Sequence, residues 1–391
     1  MNHAAVLIPG LDRIGGAERQ AMLLAKGLRR RGWRVSVVAL SGTGGAAAAE
    51  LRDYGVAFLS LEMRKGLADP RGWLRFHRWL WRERPDVVHA HLPHAAWLAR
   101  WSRLAAPVPA VIDTLHSSHT GKRGRRIGYA YSRWLPDHVT AVSHATAAAH
   151  LAAGMVREEH LSVLGNGIEV EAWQPDAHVR SAARRELGLA DEFLWIAVGR
   201  LEAVKDYPTL LRALACEPAT ARLLILGAGP LEAELVQLAA QLELERRVHF
   251  RGFEPNVQRW MQAADGFVLS SRYEGLPMVL LEAGASGLPA VATNVAGTRE
   301  VIVDGANGWL APAGDPHALA SAMARLMQIP IEARLAMGER ARRRVVEQFS
   351  LETVLDRWER LYEDLLRRKG DKAPIRLTAR ESLSRRNAAS V

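Results

Sequence analysis

The chain has 391 residues, 49% of them hydrophobic, which is material for two ordinary domains rather than one. A single cysteine, Cys216, excludes an internal disulfide framework and a cysteine-based metal cluster, and no apolar run approaches membrane-spanning length. The formal net charge is +10, with a basic first half, an acidic second half and a basic tail; this polarity suits one domain facing an anionic surface, bilayer or polyanion, and equally suits a generally arginine-rich chain.

The N-terminus has no basic segment ahead of an apolar core, so it does not read as a secretory signal. Residues 5–9 read as a short apolar strand, followed by the loop LDRIGGAER and an amphipathic helix over 17–30. Gly15 and Gly16 lie at that strand-to-helix junction, where glycine lets backbone approach an anion, although the spacing is not GxGxxG and a plain turn explains it as well. Further strands are predicted over 34–40, 56–61, 86–90, 111–115 and 137–143, with a helix over 69–84. The pattern then restarts with strands over 193–199, 221–226, 247–250, 266–269 and 289–293. Such alternation predicts an α/β fold: two doubly wound, Rossmann-like domains, each a parallel sheet with helices on both faces. The expected domains are 1–172 and 190–349, joined by a linker over 173–189. A basic helix is predicted over 331–348 and a strongly amphipathic one over 351–366, with Ser350 as its N-cap and Leu351, Leu355, Trp358, Leu361, Tyr362 and Leu365 on one side. Residues 369–391 carry no apolar periodicity and read as a disordered basic tail.

Chemistry in such folds sits at the carboxyl ends of the strands. The stretch SSRYEGLPMVLLEAGASG follows one strand directly. It puts Glu274 in a loop and Glu282 in the second turn of a helix that starts at Pro277, while Gly275 permits close backbone approach to a ligand. Two carboxylates so placed can reach the two ends of a nucleotide-sugar; the alternative is a pair of solvated surface charges. Arg200 and Lys205, just past another strand, suit a diphosphate, or else pair with Glu202 and Asp206 on the surface. His116 ends the strand VIDTL, where a histidine can hydrogen-bond a sugar hydroxyl. His89, His91 and His94 have spacing that invites a metal, but no acid or cysteine joins them, and a structural role is the better reading. No nucleophile triad and no metal-ligand set is visible. The run RGWLRFHRWLWRERP, with Trp73, Phe76, Trp79 and Trp81 among arginines, and GKRGRR at 121–126 suit a membrane interface, nucleic acid or, in part, core packing.

In joint order, IPGLDRIGGAERQAMLLAKGL, VLGNGIEVEAW, AVGRLEAVKDYPTLLRA, LLILGAGPLEAEL and SSRYEGLPMVLLEAGASGLPAVATNVAGTREVI resemble the retaining GT-B glycosyltransferases called glycosyl transferases group 1 (glycosyltransferase family 4). The resemblance implies two domains facing a cleft, with the segment 350–368 crossing back to pack on the first. It casts Glu274 and His116 as catalytic, and Gly16, Arg200, Lys205, Gly275, Leu276, Pro277 and Glu282 as donor-binding, with Glu282 at the ribose and Glu274 at the donor sugar. It also implies a metal-free, cofactor-free enzyme that transfers a hexosyl or N-acetylhexosaminyl group with retention. The donor is a nucleotide-diphospho-sugar, a UDP-sugar rather than a GDP-sugar, and the acceptor a lipid-linked or polysaccharide hydroxyl. A cytoplasmic protein, peripheral on the inner face of the membrane and with no specific nucleic acid partner, is expected. Two departures stand out: Ser117 follows His116 where the family has an acid, and Ala296-Gly297 replaces a double glycine. An epimerase or phosphorylase of similar architecture, or a polyanion-binding protein, are the competing readings.

Overall fold

The computed structural model describes residues 1–64 and 69–371. The chain divides into two compact units, Met1–Gly167 together with the C-terminal stretch from Leu351, and Ile168–Ser350.

Among the described residues the first unit carries seven strands: β1 (His3–Ile8), β2 (Arg34–Ala39), β3 (Ala57–Ser60), β4 (Val87–His91), β5 (Ala110–Leu115), β6 (His138–Ala141) and β7 (Leu161–Val163). All pair in parallel, in the order β3-β2-β1-β4-β5-β6-β7. The order reverses at β1 and β4, which are neighbours although two strands apart in sequence, and this is the switch point of a doubly wound sheet. The buried runs AAVLI and VVHAH are what a strand covered on both faces requires. The edge strand β7 escapes sequence reading because three half-buried residues, LSV, carry no periodicity.

The second unit repeats the plan with β8 (Phe193–Val198), β9 (Ala221–Leu226), β10 (Val248–Phe250), β11 (Gly266–Leu269), β12 (Ala290–Thr293) and β13 (Gly308–Ala311), parallel and ordered β10-β9-β8-β11-β12-β13. The four residues of β13 had no forecast. Two Rossmann-like units, as expected, are therefore present.

Two expectations need correction, and one choice left open is decided. The stretch 173–189, read as a linker, is built into the second unit: the helix Ala177–Glu186 packs on the helix Val257–Ala263, and Arg180 and Arg184 both bond Asp265, at 2.6 and 3.0 Å. The chain instead crosses between units at Gly167–Ile168 and again at Ser350–Leu351. The C-terminal helix runs Leu351–Asp371, so residues 369–371 are helical rather than disordered; residues 372–391 lie outside the described residues. Finally, much of the aromatic run in the helix Pro70–Glu83 is core: Phe76 and Trp79 are buried and stacked 6.1 Å apart, and Trp81 is the tryptophan that stays outside. Helical spacing placed those rings inward, and burial of large apolar area outweighed the adjacent arginines.

The amphipathic stripe of the C-terminal helix is buried as its periodicity predicts, from Leu351 through Trp358 to Leu365. It lies against the helix Gly16–Arg30 of the first unit. Arg31, at the end of that helix, reaches Glu352, Asp356 and Glu359 together. Burial opposes its charge, but the three carboxylates outweigh that and raise its pKa. Among the described residues no helix is long and apolar enough to cross a membrane.

Candidate functional site

The strand ends of the second unit are shaped by glycines that no other residue can replace. Gly199 and Gly227, following β8 and β9, have φ of +158° and +147°, and a Cβ on Gly227 would lie 2.0 Å from the Gly199 carbonyl oxygen. The two loops are thus in backbone contact. The Tyr207 hydroxyl donates to the Gly199 carbonyl at 3.0 Å and holds the first loop. Burial, and then the nearby Glu274 carboxylate, push that hydroxyl's pKa above its ordinary value.

The loop after β11 is pinned from two sides. The Thr293 hydroxyl donates to the Ser271 carbonyl at 2.5 Å, and Gly297 packs so closely that a Cβ there would lie 2.3 Å from the Gly275 carbonyl oxygen. Gly297 thus belongs to the local geometry that presents Gly275 and Leu276. Ser271 donates to Glu274 Oε1 at 2.7 Å, and Lys205 Nζ donates to the same oxygen at 2.6 Å. Lys205 is held in turn through its carbonyl, which accepts from the Ser270 hydroxyl at 2.8 Å. Glu274 and Lys205 are therefore brought together, with side chains only 13% and 19% exposed. Neither is a free surface charge.

Glu282 sits in the second turn of the helix Met278–Ala285 and is 3% exposed. That helix is apolar almost all round, so a carboxylate inside it is unlike the solvated charge of the alternative reading. Pro277 stands one position earlier than expected, as the N-cap with ψ of 114°, and Met278 opens the helix. Gly275, Leu276 and Pro277, the end of that loop, are buried. Arg200 stands apart from this group: its side chain is 67% exposed and pairs with Glu202 at 2.5 Å. Asp206, the other expected partner, takes Arg272 instead.

In the first unit, Gly16 opens the helix Gly16–Arg30 and is exposed. The amide of its N-cap, Gly15, donates to the Glu18 carboxylate at 3.0 Å. His116 follows β5 and is half-buried. Its Nε2 lies 2.9 Å from Nδ1 of buried His91, so one ring donates and the other accepts. His89 stacks on His91 with ring centres 4.2 Å apart and hydrogen-bonds Tyr362 of the C-terminal helix at 2.7 Å and Thr114 at 2.6 Å. Burial pushes His116 down to about 4, and burial with the neighbouring His116 pushes His89 down to about 3. Both rings are neutral near pH 7 and act as hydrogen-bond partners, not cations.

The His91 contact was absent from sequence reasoning, although its signal was there: residues i and i+2 of a strand share a face, so His89 and His91 point the same way while His94 lies outside on the next helix, exposed. Ser271 was missed too, because a serine after a strand looks like any turn residue. Among the described residues no three His, Cys, Asp or Glu side chains are placed to hold a metal ion.

Comparison with known proteins bears on both units. The model for glycosyl transferases group 1 matches residues 179–344, and that for glycosyltransferase family 4 matches residues 14–172. The chain is 32% identical over 307 residues to an N-acetyl-alpha-D-glucosaminyl L-malate synthase of Bacillus anthracis, covering 73% of this chain and 76% of the relative. It is 24% identical to a UDP-Gal:alpha-D-GlcNAc-diphosphoundecaprenol alpha-1,3-galactosyltransferase of Escherichia coli, over 77% of this chain and 81% of the other. Among solved structures, HepE of Anabaena in complex with UDP superposes with a TM-score of 0.82 at 23% identity, covering 93% of this chain and 100% of that one.

Proposed function

The chain belongs to the glycosyl transferases group 1 and is a glycosyl-transferring enzyme that uses a nucleotide-sugar, and on that premise we propose that it moves a sugar from a UDP-sugar, with retention and without a metal, to a lipid-linked or polysaccharide hydroxyl. The observation that carries the reading is the pairing of Lys205 with Glu274 across two strand ends, in the loop that leads directly into the helix holding the buried Glu282.

In this reading Lys205, Arg200 and the free amides at the start of the helix Met278–Ala285 hold the diphosphate and take up the charge that grows as the bond from the sugar C1 to the phosphate oxygen breaks. The acceptor oxygen bonds to C1 on the same face, and its proton passes to a phosphate oxygen. Glu274 orients the donor sugar through its hydroxyls, Glu282 the ribose, and His116 hydrogen-bonds a sugar hydroxyl as a neutral ring. The E. coli and Anabaena proteins, named with UDP-Gal and UDP, support the choice of base. The diphosphoundecaprenol in the E. coli name supports a lipid-linked acceptor, and with such an acceptor the enzyme would work at the inner face of the cytoplasmic membrane. The B. anthracis relative, named for L-malate, favours a second reading in which the acceptor is a small hydroxy acid.

Thermal shift and donor hydrolysis across UDP-, GDP- and ADP-sugars, with and without EDTA, test this. We expect stabilisation by UDP-sugars and turnover unaffected by chelation. Glu274→Ala should keep nucleotide binding and lose transfer by roughly 100-fold or more, the scale of misplacing a bound reactant by about an ångström. No shift with any nucleotide-sugar overturns the proposal.

A further inference from the structure

Three histidines meet where β4 and β5 end in the first unit, and their hydrogen bonds can be followed proton by proton. The Thr140 hydroxyl donates to the Asp113 carbonyl at 3.4 Å, so it accepts from the Thr114 hydroxyl at 2.8 Å. Thr114, its one proton used there, accepts from Nε2–H of His89 at 2.6 Å. Nδ1 of His89 is then an acceptor, and the Tyr362 hydroxyl donates to it at 2.7 Å. Both nitrogens of His89 are engaged. Its ring stacks 4.2 Å from that of His91 but has no hydrogen bond to offer it.

His91 is the ring left incomplete. It is 1% exposed, its Nδ1 lies 2.9 Å from Nε2 of His116, and its Nε2 is buried with no hydrogen-bond partner among the described residues. One proton sits between the two rings. If His116 supplied it, His91 would have to carry its own proton on Nε2, a buried N–H with no acceptor. If His91 supplies it, its Nε2 keeps only a bare lone pair. Orphaned buried N–H groups are the rarest of such defects, which selects the second arrangement. His116, neutral near pH 7, then accepts at Nε2 and carries its proton on Nδ1. That Nδ1 bonds nothing among the described residues, on a ring that is half-buried rather than sealed.

We infer that His91 is a positioning residue: its Nδ1–H holds His116 as the Nδ1–H tautomer, so that His116 meets a substrate hydroxyl as a hydrogen-bond donor on a fixed ring. The inference rests on the donor-sugar role proposed for His116 and deepens it, naming the atom that donates and the residue that sets it.

Proton–nitrogen correlation spectra of the full chain carrying nitrogen-15 histidine, recorded near pH 7, read each ring nitrogen as protonated or bare. The signals of the two rings are identified by their loss in His116→Gln and His91→Asn. Protonated Nδ1 and bare Nε2 are expected for both; a protonated Nε2 on either ring overturns the inference. Activity separates positioning from packing. His91→Asn keeps an amide N–H near the place of Nδ1 and should retain most UDP-sugar turnover. His91→Leu removes the donor and should lower turnover about tenfold, the weight of one hydrogen bond, while thermal stabilisation by UDP alone stays at the wild-type level. His91→Leu with full turnover, or His91→Asn as impaired as His91→Leu, also overturns it; should His91→Leu fail to fold, the spectra of the unsubstituted chain decide. Turnover with the reversed tautomers sinks this inference alone, whereas the expected tautomers without turnover of any UDP-sugar sink the function reading alone.

Discussion

Lys205 and Glu274 are the pair at which residue-scale physics decides most. In the sequence each is one charge among many, with no reason to meet across 69 positions; in the fold they share an oxygen with Ser271 at 2.6 and 2.7 Å. The histidines of the first unit show the same principle with the opposite charge outcome. His89, His116 and His138 are held neutral by burial, down to about 3, 4 and 4, and His91 is lowered well below its ordinary value by the same cause. Because these folded-state pKa values are depressed, the unfolded chain binds more protons below the ordinary value of 6.5, so stability rises with pH in that window. Stability is therefore full above about pH 6.5 and falls as pH drops towards 4, with a slope approaching about 1.4 kcal/mol per pH unit for each histidine titrating. Urea unfolding at a series of pH values measures it; a flat profile between pH 6.5 and 4.5 would refute the buried neutral assignment.

At the scale of elements, the C-terminal helix Leu351–Asp371 carries more of the first unit than its place at the end of the chain suggests. Trp358 and Tyr362 are buried against His89, with Trp358 4.5 Å from the His89 ring centre and Trp33 5.5 Å from Tyr362. The helix stripe was legible because six apolar residues recur at helical spacing; its partners were not, since His89 and Trp33 lie hundreds of positions away. Trp358→Ala is expected to lower unfolding free energy by about 3–5 kcal/mol, the range for emptying a large aromatic from a core. Guanidinium denaturation reads it, and a loss under 1 kcal/mol would mean that the helix is held by Arg31 and its three carboxylates instead.

For the whole molecule, the two crossings at Gly167–Ile168 and Ser350–Leu351 make the units unequal. The second, Ile168–Ser350, is continuous in sequence and has its own core from Trp195 to Met337. The first is closed by a helix delivered from the other end of the chain. A fragment of residues 168–350 should therefore fold cooperatively by circular dichroism. A fragment of 1–167 should not, because it would expose the apolar face that Leu355, Trp358 and Tyr362 cover; a folded 1–167 would contradict this. The sequence by itself determined the strand-helix alternation, the two parallel sheets, the helical stripe and the glutamates at the ends of one strand-to-helix turn, because these follow from local periodicity and glycine placement. Tertiary structure alone decided that 173–189 belongs to a core, that Phe76 and Trp79 are packing while Tyr131 and Trp134 are surface, and that Lys205 pairs with Glu274 while Arg200 takes Glu202. Those outcomes depend on which distant groups are packed into contact, and pairwise burial and charge compensation leave no trace in local spacing.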